Sequence, residues 1–354
     1  MIEGNFVPLF SCFANILDII QNANVLPSQL FDNHGRRINY LRLAVTDRCN
    51  LRCFYCMPAE GVKYMPEKQL LTWEEMIRLV GILHELGIRK VRITGGEPFV
   101  RNGLMEFLEE IARLKNLEIC LTSNGVLLEK HIPQLLQLGI HSVNLSMESL
   151  DRHRFKEITR RDDFDVVFRS LEAMIEAKMK VKINAVVMEG KNDQDIHTLS
   201  AFTEKNPVSV RFIEEMPFNG LGQSAPQLTW DFIKIIEHIK EKYPQLAVLN
   251  AKYGDTAMNY QIPGFAGNIG VIAAFSRTFC GTCNRLRITA KGEVKTCLYD
   301  DGVYDLKNLL RQNATDDEIK KTIIALHANR PLDGFEAEKN RKNVIQESMT
   351  TIGG

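Results

Sequence analysis

The sequence predicts an α/β fold built on a parallel sheet. From about residue 40, short β-branched or apolar runs alternate with longer segments of helical period. Turn and cap signals separate them, and no low-complexity stretch interrupts the rhythm. At 354 residues the chain holds about two domains of structure and can bury a core without disulfides or metals to stabilise it.

The strand-like runs are 41–45, 91–94, 118–121, 142–147, 181–188 and 210–216. The first helix has Thr72 and Glu75 as a capping box, Met76, Leu79, Val80 and Leu83 on one face, and Gly87 as its stop. Asn102 is expected to cap a second helix, with Leu104, Phe107, Leu108 and Ile111 as its apolar stripe. Further helical segments fall at 133–138, 165–178 and 193–205. Parallel neighbours joined this way need right-handed crossovers, and an open sheet or a closed or partial barrel satisfies them equally. After Pro217 the pattern changes. A polar stretch (219–226) leads to a helix at 229–243 and to strand-like runs at 268–275, 286–289 and 294–298. Ala290-Lys291-Gly292-Glu293 reads as a hairpin between the last two. Thr315 and Glu318 cap a final helix, and the tail from Pro331 is polar and loosely patterned. The domain division expected is an extension at 1–30 with a short amphipathic helix, then 31–217, 218–330 and a tail at 331–354.

The 44 basic and 44 acidic residues cancel, so no long-range field draws the chain to nucleic acid or anionic lipid. The apolar stretch 6–20 is too short to span a membrane and is broken by Pro8, Asn15 and Asp18. The first basic residue is Arg36, which fits neither a secretory nor a mitochondrial leader. A cytoplasmic location is expected.

Six of the eight cysteines form two trios. Cys49, Cys53 and Cys56 follow the first strand with C-x3-C-x2-C spacing; Cys280 and Cys283 are joined later by Cys297. Cys12 and Cys120 stand alone and read as apolar fillers. Clustered cysteines without an export signal favour metal over disulfides. Structural zinc takes four Cys or His ligands, and neither trio has a fourth at such spacing. Each trio suits an iron–sulfur cluster with one iron left open, although zinc or a redox thiol pair fits either one taken alone. Arg42, Arg92, Lys182, Arg285 and Arg287 lie in or beside strand-like runs, where a solvated face explains a charge poorly. Arg285 and Arg287, two apart, fall on one side of an extended segment.

The first triplet, with Tyr55 before its last cysteine, resembles the radical S-adenosylmethionine superfamily, and Gly95-Gly96-Glu97-Pro98 matches that superfamily's methionine-binding motif. Leu41-Arg42-Leu43, Met57-Pro58, Arg92-Ile93-Thr94, the segment from Phe279 to Arg287 and the ending Gly353-Gly354 narrow the resemblance to the GTP 3′,8-cyclase family of molybdenum cofactor biosynthesis, from Phe31 onward. The resemblance implies a partial (βα)6 TIM-type barrel with a C-terminal domain carrying a second iron–sulfur cluster. By it, Cys49, Cys53 and Cys56 hold a [4Fe-4S] cluster, and Tyr55, Gly96, Ser146 and Met216 surround S-adenosyl-L-methionine, whose ammonium Glu97 accepts. Cys280, Cys283 and Cys297 would hold a second [4Fe-4S] cluster facing guanine. Arg42, Arg92, Thr122, Lys182, Arg285, the backbone of Leu286 and Arg287 would bind GTP. A 5′-deoxyadenosyl radical would take hydrogen from C3′ of the ribose, and C3′ would attack C8. No side chain is assigned a catalytic proton transfer. Ser146-Met147-Glu148 stands where the family often has Ser-Leu-Asp, and 219–227 match it loosely. The family context implies an electron donor, a downstream cyclic pyranopterin monophosphate synthase and compatibility with a homodimer. Two competing readings are another radical enzyme with an auxiliary cluster, such as a peptide modifier, and a zinc-stabilised binding module. The first has no use for Arg285-x-Arg287, and metal analysis separates the second.

Overall fold

The computed structural model describes residues 26–220 and 228–353; the amphipathic helix expected before residue 26 lies outside the described residues. A small hairpin of β1 (Leu30–Phe31) and β2 (Arg37–Ile38) precedes the main sheet. All six runs expected up to residue 216 form strands: β3 (Tyr40–Ala44), β4 (Lys90–Thr94), β5 (Glu118–Ser123), β6 (Ser142–Ser146), β7 (Lys180–Val187) and β8 (Ser209–Glu214). The later strands are β9 (Ala247–Val248), β10 (Met258–Gln261), β11 (Asn268–Ile272), β12 (Arg285–Ile288), β13 (Glu293–Lys295) and β14 (Tyr304–Asp305).

One 12-stranded sheet runs β14-β13-β12-β3-β4-β5-β6-β7-β8-β11-β10-β9. Every pairing from β12 across to β11 is parallel. The segment after residue 217 therefore continues the sheet at both ends, β11 beside β8 and β12 beside β3. Among the described residues the outermost strands do not pair with each other, so the barrel is partial. Alternation along a strand sends one set of side chains to each face. On β7, Val181, Ile183, Ala185 and Val187 are buried against the helices, while Lys182, Asn184 and Val186 line a cavity on the concave side.

The helices cover the convex face. In α1 (Trp73–Glu85) both halves of the Thr72–Glu75 capping box form. The Asn102 cap expected for α2 (Leu104–Ala112) does not form. The capping position is Gly103, at φ +82°, where a Cβ would lie 2.6 Å from Trp73 Nε1. That indole donates instead to the Asn102 carbonyl at 2.9 Å. Next come α3 (Ile132–Gln137) and α4 (Arg152–Thr159), the latter unforeseen and capped by Asp151. Then follow α5 (Phe164–Glu176), α6 (Ile196–Phe202), α7 (Phe232–Lys242), α8 (Leu306–Arg311) and α9 (Asp316–His327). The tail is more ordered than its composition indicates: Asp333 and Ser348 cap two further short helices, α10 (Gly334–Lys339) and α11 (Met349–Ile352).

The turn after β4 is fastened to the loop after β3. Gly96 N donates to Thr46 O at 2.8 Å and Glu97 N to Arg48 O at 2.8 Å. A Cβ on Gly96 would sit 2.1 Å from the Arg48 carbonyl. Gly96→Ala should therefore push two backbone loops apart at a cost of about 1–3 kcal/mol, seen as a lower urea midpoint with unchanged slope. An unshifted midpoint would mean the loops are not in contact.

Candidate active site

Side chains from β3 to β8 and from β11 and β12 converge on a cavity of about 430 Å³ at the C-terminal ends of the parallel strands, where such sheets place their chemistry. Both cysteine trios line it: Cys49, Cys53 and Cys56 from the loop after β3, Cys280 and Cys283 from the turn before β12, and Cys297 after β13. All six are free thiols. The first loop is held from behind by α4, with Arg52 N donating to Thr159 O at 2.9 Å and Phe54 N to Ile158 O at 3.1 Å. Arg52 also folds back to the Cys49 carbonyl at 2.7 Å. Burial pushes the thiols of Cys49 and Cys297 up to about 11 and raises those of Cys53 and Cys56. Cys283 goes the other way, to about 6, because Arg285 and Arg330 outweigh its burial.

The donor set fits two [4Fe-4S] clusters better than zinc. No histidine is found among the described residues of the lining, so neither trio gains the imidazole that would close a structural zinc site. The described residues do bring His197, His238 and Glu241 together elsewhere. Those two imidazoles stack at 4.1 Å and 16°, so their in-plane lone pairs run parallel and do not meet.

The residues expected around S-adenosylmethionine all reach the cavity: Tyr55, Gly96, Ser146 and Met216. The Tyr55 hydroxyl donates to the buried carboxyl of Glu148, which burial pushes up to about 7. Glu97, expected to accept from the ligand's ammonium, is fully buried and bonded within the protein. Its Oε1 accepts from Phe99 N at 3.2 Å and Ser123 Oγ at 3.0 Å, and its Oε2 from Asn124 N at 2.7 Å. It serves as the brace between the β4 and β5 turns, and Asn124 Nδ2 in turn reaches Asn50 Oδ1 at 2.7 Å.

The same cavity carries a cationic wall. Arg42, Arg92, Lys182, Arg285 and Arg287 all line the cavity, as does Thr122. Leu286 does not: its side chain is fully buried in the core while its backbone pairs with Leu41. Parallel register sets Arg287 beside Arg42 and Arg42 beside Arg92. Arg42 Nη2 and Arg287 Nη1 both donate to the Gly353 carbonyl, at 3.2 and 3.0 Å. The tail thus reaches the site, through α11 rather than as a loose strand. Burial first, then neighbouring cations, brings Arg42 down to about 10, Arg287 to about 9 and Lys182 to about 8.

Sequence reasoning missed Arg211, Asn144 and Asn184, which line the same cavity. Arg211, lowered to about 10 by burial and by Arg92, lies between Val210 and Phe212 in a strand, the same signal that singled out Arg42. Thr122 Oγ1, Asn144 Oδ1, Asn184 Oδ1 and Arg211 Nε are buried without a hydrogen-bond partner. Buried polar atoms are rarely left so, and their grouping on one wall suits a polar ligand.

Comparison with known proteins agrees. The Radical SAM superfamily model matches residues 43–202, and the model described as Molybdenum Cofactor Synthesis C matches 208–335. GTP 3′,8-cyclase of Desulforamulus reducens is 41% identical over 331 residues, 92% of this chain and 100% of that protein. The mitochondrial GTP 3′,8-cyclase of Arabidopsis thaliana is 36% identical over 94% of this chain and 85% of its own. Molybdenum cofactor biosynthesis protein 1 of Drosophila melanogaster is 40% identical over 82% of this chain, which spans about half (52%) of that longer protein. The crystal structure of Streptococcus suis SuiB superposes with a TM-score of 0.56 at 16% identity, over 84% of this chain and 68% of that one, a likeness of fold alone. Two thiolate trios on one cavity, the two matched models and near full-length relatives together show that the chain belongs to the GTP 3′,8-cyclase family of radical S-adenosylmethionine proteins.

Proposed function

We propose that this chain cyclises GTP to (8S)-3′,8-cyclo-7,8-dihydroguanosine 5′-triphosphate, the first step of molybdenum cofactor biosynthesis. The observation that carries this reading is a set of cations lining the same cavity as two three-cysteine sets. When bound, the first [4Fe-4S] cluster and S-adenosylmethionine supply an electron and a 5′-deoxyadenosyl radical for hydrogen abstraction at C3′. The protein's part is placement. Cys49, Cys53 and Cys56 would hold the first cluster and Cys280, Cys283 and Cys297 the second. Gly96, Tyr55, Ser146 and Met216 would flank the adenosyl group, with Glu148 fixing the Tyr55 ring through its hydroxyl. Arg42, Arg92, Lys182, Arg211, Arg285 and Arg287 would hold the triphosphate, and Thr122, Asn144 and Asn184 offer polar atoms to ribose or base. Effective molarities from such positioning are large. An external electron donor is required, and a cyclic pyranopterin monophosphate synthase would consume the product. Among the described residues no helix is long and apolar enough to cross a membrane.

The direct test is anaerobic reconstitution with iron and sulfide, followed by GTP, S-adenosylmethionine and dithionite. 5′-Deoxyadenosine and a cyclised nucleotide should appear together, and both should depend on GTP. Deoxyadenosine formed equally without GTP, with no nucleotide product, would sink the reading. Arg211→Ala and Arg287→Ala should each weaken GTP binding about tenfold or more, since a hydrogen bond to a charged group is worth about 1.5–3 kcal/mol. Iron content should be unchanged, and loss of iron would show that the residue supports a cluster instead. Lys182, held near 8 by burial and by Arg211, is charged below that pH and neutral above it. GTP affinity should therefore be flat to about pH 7 and fall as pH rises through 8, and Lys182→Arg should move the fall to higher pH. Calorimetry across pH 6.5–9 reads this, and identical profiles would exclude Lys182 from the phosphate site.

A further inference from the structure

The second trio has a buried guanidinium on one of its sulfurs. Arg330, three residues beyond α9, has a side chain 3% exposed. Its Nη2 donates to Cys283 Sγ at 2.9 Å and to Arg285 O at 3.2 Å, its Nη1 to Cys283 O at 2.9 Å, and its Nε to Thr296 O at 2.9 Å. Every arm of the fork is thus spent on the two segments that carry the trio. Asp32, with a fully buried side chain, fixes the fork from the β1–β2 turn, its Oδ2 accepting from Arg330 Nη1 at 3.1 Å and from Arg36 Nε at 2.6 Å. Arg36 in turn donates to the Cys280 carbonyl at 3.0 Å. Two arginines therefore share one carboxylate around the Cys280–Cys283 turn, leaving a net positive charge beside it. On the other flank, Asp300 accepts from Cys297 N at 2.8 Å.

We propose that Arg330, locked by Asp32, sets the reduction potential of the second cluster by donating to the Cys283 sulfur. With three thiolates, a [4Fe-4S] core of charge 2+ carries a net charge of 1−. It accepts one electron from an external low-potential one-electron reductant and becomes 2−; no bond forms or breaks and no proton moves. A fixed cation and a hydrogen bond to a ligating sulfur favour the more negative state, which raises the potential. Lysine could replace the charge but not the planar fork that spans a sulfur and three carbonyls. This inference rests on the second cluster of the proposed function and concerns its redox poise.

The test is an EPR-monitored redox titration of the reconstituted full-length protein, with the second cluster's signal assigned by comparison with a chain carrying Cys49→Ala, Cys53→Ala and Cys56→Ala. At the wild-type midpoint, Arg330→Gln should lower the reduced-to-oxidised ratio of the second cluster about tenfold, equivalent to about 59 mV for one electron, and leave the first cluster unchanged. Asp32→Asn should raise the ratio, because an amide oxygen can still accept from Arg330 Nη1 and hold the fork while a nearby negative charge is removed. Opposite shifts are not expected of two residues that merely pack. If Arg330→Gln takes up no second cluster, Arg330→Lys is read in its place and should show a smaller fall. A wild-type titration in the variant that holds the cluster, shifts of the same sign in the Arg330 and Asp32 variants, or loss of the cluster from both Arg330 variants would overturn the proposal. Iron and sulfide analysis of the wild type separates the two levels: a second cluster that never forms defeats the cyclase reading, whereas one that forms and ignores Arg330 defeats this inference alone.

Discussion

Like charge gathered in one cavity is the constraint around which this molecule is arranged. Arg42, Arg92, Lys182, Arg211, Arg285 and Arg287 face one space of about 430 Å³. Two unit charges 4 Å apart still repel by about 4 kcal/mol at an effective dielectric of 20. The depressed values of Arg42, Arg211, Arg287 and Lys182 record both their burial and this mutual repulsion. The protein answers with neutral acceptors: the Gly353 carbonyl for Arg42 and Arg287, and the Tyr40 hydroxyl and Leu121 carbonyl for Arg92. Two of the carboxylates nearby are committed elsewhere, Glu148 to Tyr55 and Glu214 to the amides of Phe232, Phe275 and Ser276. A multiply charged anion is the natural complement of what remains.

Arg285 and Arg287 join that wall because the sheet ignores the change of rhythm at residue 217. Parallel pairing of β12 with β3 sets Arg285 opposite Tyr40 and Arg287 opposite Arg42, joining segments far apart in the chain on one face of the sheet. The same region then returns along the opposite edge. Ser348 Oγ donates to the Cys56 carbonyl at 2.6 Å and Met349 N to Phe218 O at 3.0 Å, so the last helix is pinned to the first cysteine loop before the Gly353 carbonyl meets Arg42 and Arg287. The cationic wall, the first cysteine loop and the last helix are thus mechanically connected.

Local patterns in the sequence carried the parallel strands β3 to β8, β11 and β12, together with β13, both capping boxes and the strand-end position of each motif, because these depend on neighbours within a few residues; the short strands β1, β2, β9, β10 and β14 left no such pattern. Arg42 and Arg287 were legible as charges inside apolar strands; Arg211 carried the same signal and went unused. The Gly103 cap and the indole that displaces Asn102 depend on Trp73, well outside any local window. Two of the three partners of Glu97 lie 26 and 27 residues away, and Arg330 meets Asp32 across 298 residues. No periodicity encodes such contacts. They follow only from the completed topology, which is why the brace and the second trio's guanidinium were invisible at the level of motifs.

The bonds of Glu97 bear on how the first trio is held. Its carboxylate ties the β4 turn to the β5 turn, the Gly96 and Glu97 amides tie the β4 turn to the β3 loop, and Asn124 closes the circuit through Asn50. Asn124 Nδ2 also comes within 3.6 Å of Cys49 Sγ, so the circuit ends on a sulfur of the first trio. Each of these bonds is made by protein atoms alone. A change at Ser123 or Asn124, on the β5 turn, is therefore felt at Cys49 although neither adjoins it in the sequence.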